Sequence, residues 1–340
     1  MNVLFIGGTG NISTACTQLA VSRGHHVTLL NRSQREPLPG TEQLTIDIHD
    51  QAAAETALGK RHWDAVVDFI AFTRDDINRR IALFRGTVGQ YVFLSSASAY
   101  QKPATKISIT ESTPLENPFW QYSRDKIACE ERLMGALQAD AFPAVIIRPS
   151  LTYGDTVVPL AVNSWEKSYT AVDRMRRGQS VIVPGDGLSL WTITHNSDFA
   201  KGLVGLLGQS RAIGHAFHIT SDEALTWNQF YLATAQAAGI AAPKLVHIAS
   251  DFITTCLPEM TGSLLGDKAH TAIFDNAKIR SFVPDFQATT SYVVGIARTI
   301  SWFDGDERRR HIDDTANANW DRLITAYKRG LQQARNDFGH

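Results

Sequence analysis

Val3-Leu4-Phe5-Ile6-Gly7-Gly8-Thr9-Gly10-Asn11-Ile12-Ser13 decides how the rest of the chain is read. Four apolar residues in a row suit a strand buried on both faces, as in a parallel sheet flanked by helices. Small residues follow at once. A helical pattern over 12–23 comes next, with Ile12, Ala15, Cys16, Leu19 and Ala20 on its apolar side. Small residues in such a turn let the backbone approach a pyrophosphate, and the first N–H groups of the helix then face the anion. At the first strand-to-helix turn of a parallel sheet, this predicts dinucleotide binding through Gly7, Thr9, Gly10, Asn11 and Ile12. Ser13 replaces the usual third glycine and is small enough for close helix–strand packing.

The same alternation continues outward. Apolar, β-rich runs at 3–6, 26–30, 44–46, 65–69, 91–94 and 144–147 alternate with helical stretches, including 75–84 and 119–139. That order is the signature of βαβ units. Beyond residue 150 the pattern is mostly helical, at 197–207, 227–238, 289–303 and 316–333, with short strands at 181–183, 216–219 and 244–248. The expected fold is therefore α/β: a Rossmann-type doubly wound parallel sheet with a smaller, mostly helical C-terminal substrate domain. The expected division is 1–155 for the nucleotide-binding domain and 156–340 for the substrate domain, partly interleaved with the first.

Composition narrows the class. The 340 residues carry 33 Lys+Arg against 34 Asp+Glu, a formal charge of -1, so no general field steers the chain onto nucleic acid or an anionic membrane. No apolar run approaches the ~18 residues of a membrane span. The N-terminus opens directly on a strand pattern with no leader-like segment, so a cytoplasmic enzyme is expected. Cys16, Cys129 and Cys256 lie far apart and read as reduced thiols. No metal site is expected, because His25-His26 and His215-x-x-His218 lack partner ligands. Glu130-Glu131, and the cluster Arg174, Arg176 and Arg177, read as solvated faces.

Cofactor choice turns on the end of the second strand, Leu30-Asn31-Arg32-Ser33-Gln34-Arg35. An acid there would hold the ribose hydroxyls of NAD. It is absent, and two arginines are near. Arg32, with Arg35, is expected to hold a 2′-phosphate beside Asn31, so NADP(H) is favoured over NAD(H). Asp47, followed by Ile48, is placed to meet the adenine amino group, with helix capping over 47–50 as the alternative.

The chemistry is carried further on. A strand run, Tyr91-Val92-Phe93-Leu94, ends in Ser95-Ser96-Ala97-Ser98-Ala99-Tyr100. Tyr122-Ser123-Arg124-Asp125-Lys126 then opens a long helix. Positions i and i+4 share a helix face. An ammonium beside a phenol lowers its pKa. Such a tyrosine can exchange a proton with a substrate hydroxyl or carbonyl.

In this order, the glycine loop, the Ser95-Ser96 strand end, Tyr122/Lys126 and Arg148-Pro149-Ser150-Leu151-Thr152-Tyr153-Gly154 resemble the extended short-chain dehydrogenase/reductase family, the group of NAD-dependent epimerases and dehydratases. Pro184-Gly185-Asp186-Gly187 through Asp198-Phe199-Ala200 is similar to its substrate-domain signature, so the likeness spans roughly 1–240. Within it the chain looks closest to the atypical branch that includes chloroplast stem-loop-binding proteins.

The resemblance implies that Tyr122 is the acid/base, that Lys126 binds the nicotinamide ribose, and that Ser96 rather than Ser95 is the catalytic hydroxyl. It implies that Phe69, Ile70, Ala71 and Pro149 line the nicotinamide and that Ser95 touches the cofactor. Ser98, Tyr100, Trp120, Trp191 and His195 are the candidate substrate residues. Two departures stand out. Ala97 and Ser98 replace the acidic pair of the family's dehydratases, which disfavours water elimination. Trp191 occupies the place of the arginine that grips a nucleotide sugar's diphosphate, so a substrate without that handle is expected.

The expected activity is hydride transfer between nicotinamide and a hydroxyl or carbonyl substrate, with a sugar-like compound as the candidate. The alternatives are an epimerase with tightly held cofactor and a non-catalytic or RNA-binding protein of the same fold. A small-molecule substrate is the expected partner, and a homodimer through helices of a four-helix bundle is left open.

Overall fold

The computed structural model describes residues 1–32, 38–58 and 61–339. Its centre is a seven-stranded sheet. The strands are β1 (Asn2–Ile6), β2 (His26–Asn31), β3 (Thr41–Thr45), β4 (Ala65–Asp68), β5 (Tyr91–Leu94), β6 (Ala144–Arg148) and β7 (Ala216–His218). They lie in the order β7-β6-β5-β4-β1-β2-β3, with every neighbouring pair parallel. This is the expected doubly wound sheet. The order reverses at β1 and β4, and ligands of such sheets bind at the carboxyl ends of the strands beside that reversal.

The apolar run of β1 explains the layering. Val3 and Phe5 point into one core with Cys16 and Ala20 of α1 (Ser13–Ser22). Phe199 and Leu203 of α5 (Asn196–Leu206) complete that side. Leu4 and Ile6 point into the other core. There they meet α2 (Gln51–Leu58) through Ala54 and Leu58, and α3 (Arg74–Phe84) through Ile77 and Ile81. Cys129 and Leu133 of α4 (Gln121–Asp140) close the layer. Alternate residues of a strand face opposite sides, so one four-residue run is buried twice.

Two of the elements beyond residue 155 belong to this layer: β7 extends the sheet beside β6, and α5 packs on α1. The helix Ala277–Phe282 adds Ile279 to the same core, and the remainder is short paired strands and helices around two further cores, one containing Trp191, Trp227, Phe230 and Tyr292 and the other Ile182, Ile248, Leu264 and Trp320. The third strand starts earlier than expected and is half-exposed, because it is the sheet edge and polar residues such as Thr41 and Glu42 suffice there. The sequence pattern did not reveal α2, nor the broken helical run Ser250–Cys256, Pro258–Met260, Thr261–Ser263 and Leu264–Lys268. The last piece is a single wide π-turn, whose period differs from that of an α-helix. Among the described residues, no helix is long and apolar enough to cross a membrane.

Candidate functional site

The glycine loop leaves β1 at Gly7, which takes a left-handed φ of +85°. A Cβ there would stand 2.5 Å from Ile70 Cγ2, so glycine is required twice over. Ser13 does more than stay small. Its hydroxyl donates to the Gly7 carbonyl at 2.7 Å and accepts the Gly10 N–H at 2.7 Å, cinching the loop. No side chain caps α1. Asn11 ties the loop to the second half of the chain: its amide donates to the Thr152 carbonyl at 2.9 Å, and its own carbonyl accepts from Asn196 at 2.7 Å.

A cleft of about 440 Å³ runs from Gly7, Gly10, Asn11 and Ile12, past Phe69, Ile70 and Pro149, to Tyr122 and Lys126. Its walls fit a dinucleotide. The helix N-terminus facing it is uncapped, and buried Asn11 Oδ1 and Asn31 Nδ2 lack partners among the described residues. Thr9 is half-buried on the same loop, and Arg32 is exposed at the end of β2. Arg35 lies outside the described residues. Asp47 is exposed and accepts the His49 N–H at 3.0 Å, while Ile48 is buried and its carbonyl accepts from Arg80 at 3.4 Å.

Sequence reasoning passed over Asp68, at the end of β4. It is fully buried, takes Arg80 Nε at 2.9 Å and the Tyr91 hydroxyl at 3.0 Å, and accepts the Ile70 and Ala71 N–H groups at 2.9 Å. An acid ending an apolar strand run was the available signal. Asp68 shapes the turn whose Ala71 carbonyl accepts Lys126 Nζ at 2.7 Å; the Leu94 carbonyl accepts the same ammonium at 2.7 Å. Lys126 therefore clamps the ends of β4 and β5.

Tyr122 and Ser96 are brought together at the place where two cavities meet, close enough for the Ser96 hydroxyl to lower the Tyr122 pKa. Behind Ser96 stands a chain of hydroxyls: Ser123 donates to Ser98 Oγ at 2.7 Å, and Ser98 Oγ lies 2.8 Å from Ser96 Oγ. Either hydroxyl of the Ser96–Ser98 pair could donate to the other. The Ser98 N–H also donates to Ser96 Oγ at 3.2 Å, which fixes the Ser96 oxygen in place. Buried Asn117 holds this loop by donating to the Ser98 carbonyl at 2.8 Å. Ser95 lines the cleft but turns its hydroxyl away, to Glu130 at 2.5 Å.

One expectation is corrected: Tyr122 does not have a lowered pKa. Burial raises it, the Ser96 hydrogen bond lowers it, and the charge of Asp267 raises it further. Lys126 instead is pushed down to about 8 by burial, against the opposing pull of nearby acidic groups. A lysine depressed on folding makes stability rise with pH between 8 and its unfolded value, because there only the unfolded chain binds the proton. Lys126→Met should therefore gain on the wild type below pH 8. The stability difference between the two should shift by about 3 kcal/mol from pH 7 to pH 10.5, at ~1.4 kcal/mol per pKa unit. Urea unfolding of both proteins at the two pH values measures it, and a pH-independent difference would refute the depressed lysine.

A chamber of about 190 Å³ adjoins Tyr122 and Ser96 and is also lined by Ser98, Trp120 and Trp191. Trp191 is nearly buried and stacks on Trp227 at 5.7 Å, so only part of its ring serves the chamber. Lys102, Asp267 and Lys268 line it too, and the sequence reading missed all three.

Two candidates do not belong there. Tyr100 is fully buried, its hydroxyl 3.1 Å from His218 Nδ1 and its ring under Arg148. His195 is buried against Tyr153 and contacts Ser197 at 2.8 Å and Asp155 at 3.3 Å. Both are structural, because the strand ends that carry them turn these rings into the core. Glu130 and Arg174 also depart from the solvated reading. Glu130 forms a buried, forked ion pair with Arg148, and Arg174 is buried against Asp321 at 2.5 Å.

A sequence model described as the NAD dependent epimerase/dehydratase family matches residues 3–220. The 2'-dehydrokanamycin reductase of Streptomyces kanamyceticus is 26% identical over 244 residues, 70% of this chain and 67% of that protein. The chloroplast stem-loop binding protein of 41 kDa b of Arabidopsis thaliana is 25% identical over 260 residues, 72% of this chain and 65% of that one. The chain thus spans about two thirds of the length of these curated relatives. Among solved structures, epimerase Mth375 of Methanothermobacter thermautotrophicus superposes with a TM-score of 0.74 at 18% identity, over 91% of this chain and 94% of that one.

Proposed function

The chain belongs to the NAD-dependent epimerase/dehydratase family, and from that premise we propose that it is an oxidoreductase of small hydroxyl or carbonyl compounds, with Tyr122 as its acid/base. The observation that carries this reading is the Ser123–Ser98–Ser96 chain of hydroxyls, which ends beside Tyr122 where the cleft and the chamber meet. A nicotinamide dinucleotide, when bound, supplies the hydride chemistry. Gly7, Gly10, Asn11 and the start of α1 hold its phosphates, and Phe69, Ile70 and Pro149 line its reactive end. Ser96 and Tyr122 orient the substrate oxygen, and Tyr122 gives or takes its proton. Lys126 keeps the strand ends in register and offers its remaining N–H to the cleft.

Water elimination is disfavoured because buried Ala97 and Ser98 occupy the turn after Ser96 and bring no carboxylate. Transient oxidation followed by re-presentation of the opposite face, the epimerase reading, needs space. The chamber of about 190 Å³ opens onto the cleft at Ser96, Tyr122 and Trp165, and inversion of a substrate centre without net redox change would favour the epimerase reading over the oxidoreductase one.

NADP(H) remains the favoured cofactor, on the absence of an acid at the end of β2 and the presence of Arg32 and Arg35. Arg32→Ala should weaken NADP(H) by about tenfold, the loss of one charge-assisted contact, and leave NAD(H) unchanged. Titrating both cofactors by nicotinamide fluorescence reads this. Wild-type protein that binds NAD(H) as tightly as NADP(H) overturns the preference. The activity itself is tested by a panel of small hydroxy and oxo compounds with each cofactor.

A further inference from the structure

The chamber beside Tyr122 contains charges that hydride transfer does not use. Lys102 and Lys268 are both buried, and both line it. Between them they have one carboxylate, Asp267, whose Oδ1 is 4.0 Å from Lys102 Nζ and whose Oδ2 is 3.5 Å from Lys268 Nζ. Neither separation is that of a short, strong ion pair. Lys102 Nζ has no hydrogen-bond acceptor among the described residues and rests 5.6 Å from the centre of the Trp191 ring. Among the described residues, the one hydrogen-bond acceptor of Lys268 Nζ is the Ser263 carbonyl at 3.5 Å, and its ammonium lies 5.2 Å from the centre of the Trp165 ring. Burial lowers the Lys102 pKa, Asp267 opposes this, and Lys268 adds to it. Among the described residues, two buried cations against one anion leave an excess of positive charge at the wall of a chamber that opens onto the cleft. A buried charge is costly unless it is paired and hydrogen-bonded.

The backbone that presents these groups is also unusual. Asp267 and Lys268 come from the π-turn Leu264–Lys268, a geometry frequent at functional sites. The turn is fixed against the chamber wall. Asn117 donates to the Gly266 carbonyl at 2.7 Å, and a Cβ on Gly262 would stand 2.2 Å from Trp120 Cδ1. The same Asn117 holds Ser98, so one side chain sets the spacing between the charged wall and the hydroxyl chain.

We propose that the substrate carries a compact anionic group, a carboxylate or a phosphate monoester, held by Lys102 and Lys268 while its hydroxyl or carbonyl oxygen meets Ser96 and Tyr122. Asp267 spaces the two ammonium groups. The inference rests on the oxidoreductase reading for its second half only; the anion site stands on its own charges. Two ammonium groups on the same chamber wall as Ser96 and Tyr122 suit a small hydroxy acid or a phosphorylated polyol, whose anionic and reacting ends lie a few bonds apart.

The test uses the full chain in low-chloride buffer. Tryptophan fluorescence reports binding of glycerate, glycerol 3-phosphate and glycerol, since Trp120, Trp165 and Trp191 all line the chamber. At least one anion should bind ten times more tightly than glycerol, and the tighter of the two names the group. Lys102→Met and Lys268→Met should each weaken it at least tenfold and leave dinucleotide binding, read by nicotinamide fluorescence, unchanged. Asp267→Asn should tighten it. Glycerol binding as tightly as both anions, or both lysine variants binding like wild type, overturns the proposal. If the lysine variants do not fold, Asp267→Asn decides alone, and unchanged or weaker anion binding overturns it. A wild type that gives no nicotinamide signal sinks the oxidoreductase reading while the anion titration still stands.

Discussion

Tyr122→Phe should lower turnover by about a thousandfold, within the 10²–10⁴ range that a positioned acid or base contributes, while dinucleotide affinity changes by less than twofold. The substitution removes one oxygen and leaves the ring against Trp120, whose centre is 4.9 Å away. Ser96 keeps its contacts with the Ser98 hydroxyl and N–H, so the loop stays in place. The two arms separate chemistry from binding, and wild-type turnover in the variant would falsify Tyr122 as the proton carrier. The same group sets a pH signature. Its pKa is raised by burial, so the phenol is neutral across the physiological range and acts directly as an acid. Carbonyl reduction should therefore be flat with pH from about 6 to 9. Alcohol oxidation needs the phenolate and should climb through the same interval. A reduction rate that falls steadily as pH rises from 6 would show that another group supplies the proton.

Glu130→Ala should destabilise the protein by about 3–5 kcal/mol, the usual cost of leaving a buried charge without its partner. Arg148 Nε lies 3.0 and 3.2 Å from the two carboxylate oxygens, and Nη2 lies 2.6 Å from Oε2. Ser95 also gives its hydroxyl proton to this carboxylate. Removing it strands a guanidinium between β6 and α4 and frees the residue next to Ser96. Adding Arg148→Met to an apolar Glu130→Leu should restore much of the loss, since well-packed apolar replacements of a buried pair are often neutral. Urea midpoints of the three proteins measure both effects. A single variant as stable as wild type, or a double variant no better than the single, would show that the pair is not what holds this region.

Much of the scaffold could be read from the sequence because its signals are local. Val3-Leu4-Phe5-Ile6 and the small residues after it announce strand, turn and helix within eleven positions. Tyr122 and Lys126 announce each other by their spacing on one helix. What escaped reading is what depends on distance. Glu130 looks like any surface acid on a helix until β6 brings Arg148 beside it. Asp267 and Lys268 sit in a π-turn with no helical period to mark it, and more than 140 residues separate them from Ser96 and Tyr122. Trp191 was placed by its position after a glycine turn, which put it at the chamber wall but could not show that Trp227 covers most of it. Tyr100 and His195 failed for the same cause: a strand end fixes where a residue is, whereas the neighbours that arrive later fix where its side chain points.

The two hydrogen bonds that Asn11 makes with Thr152 and Asn196 have an evolutionary consequence. The phosphate loop is already ordered by the part of the chain that shapes the substrate chamber, so cofactor affinity is inherited from both halves together. A recombinant that exchanged residues beyond 150 for those of a relative would keep the bond to the backbone carbonyl at 152 and lose the other restraint unless an Asn196 equivalent came with it. One side-chain amide, Asn196, thus couples the choice of cap to the order of the glycine loop.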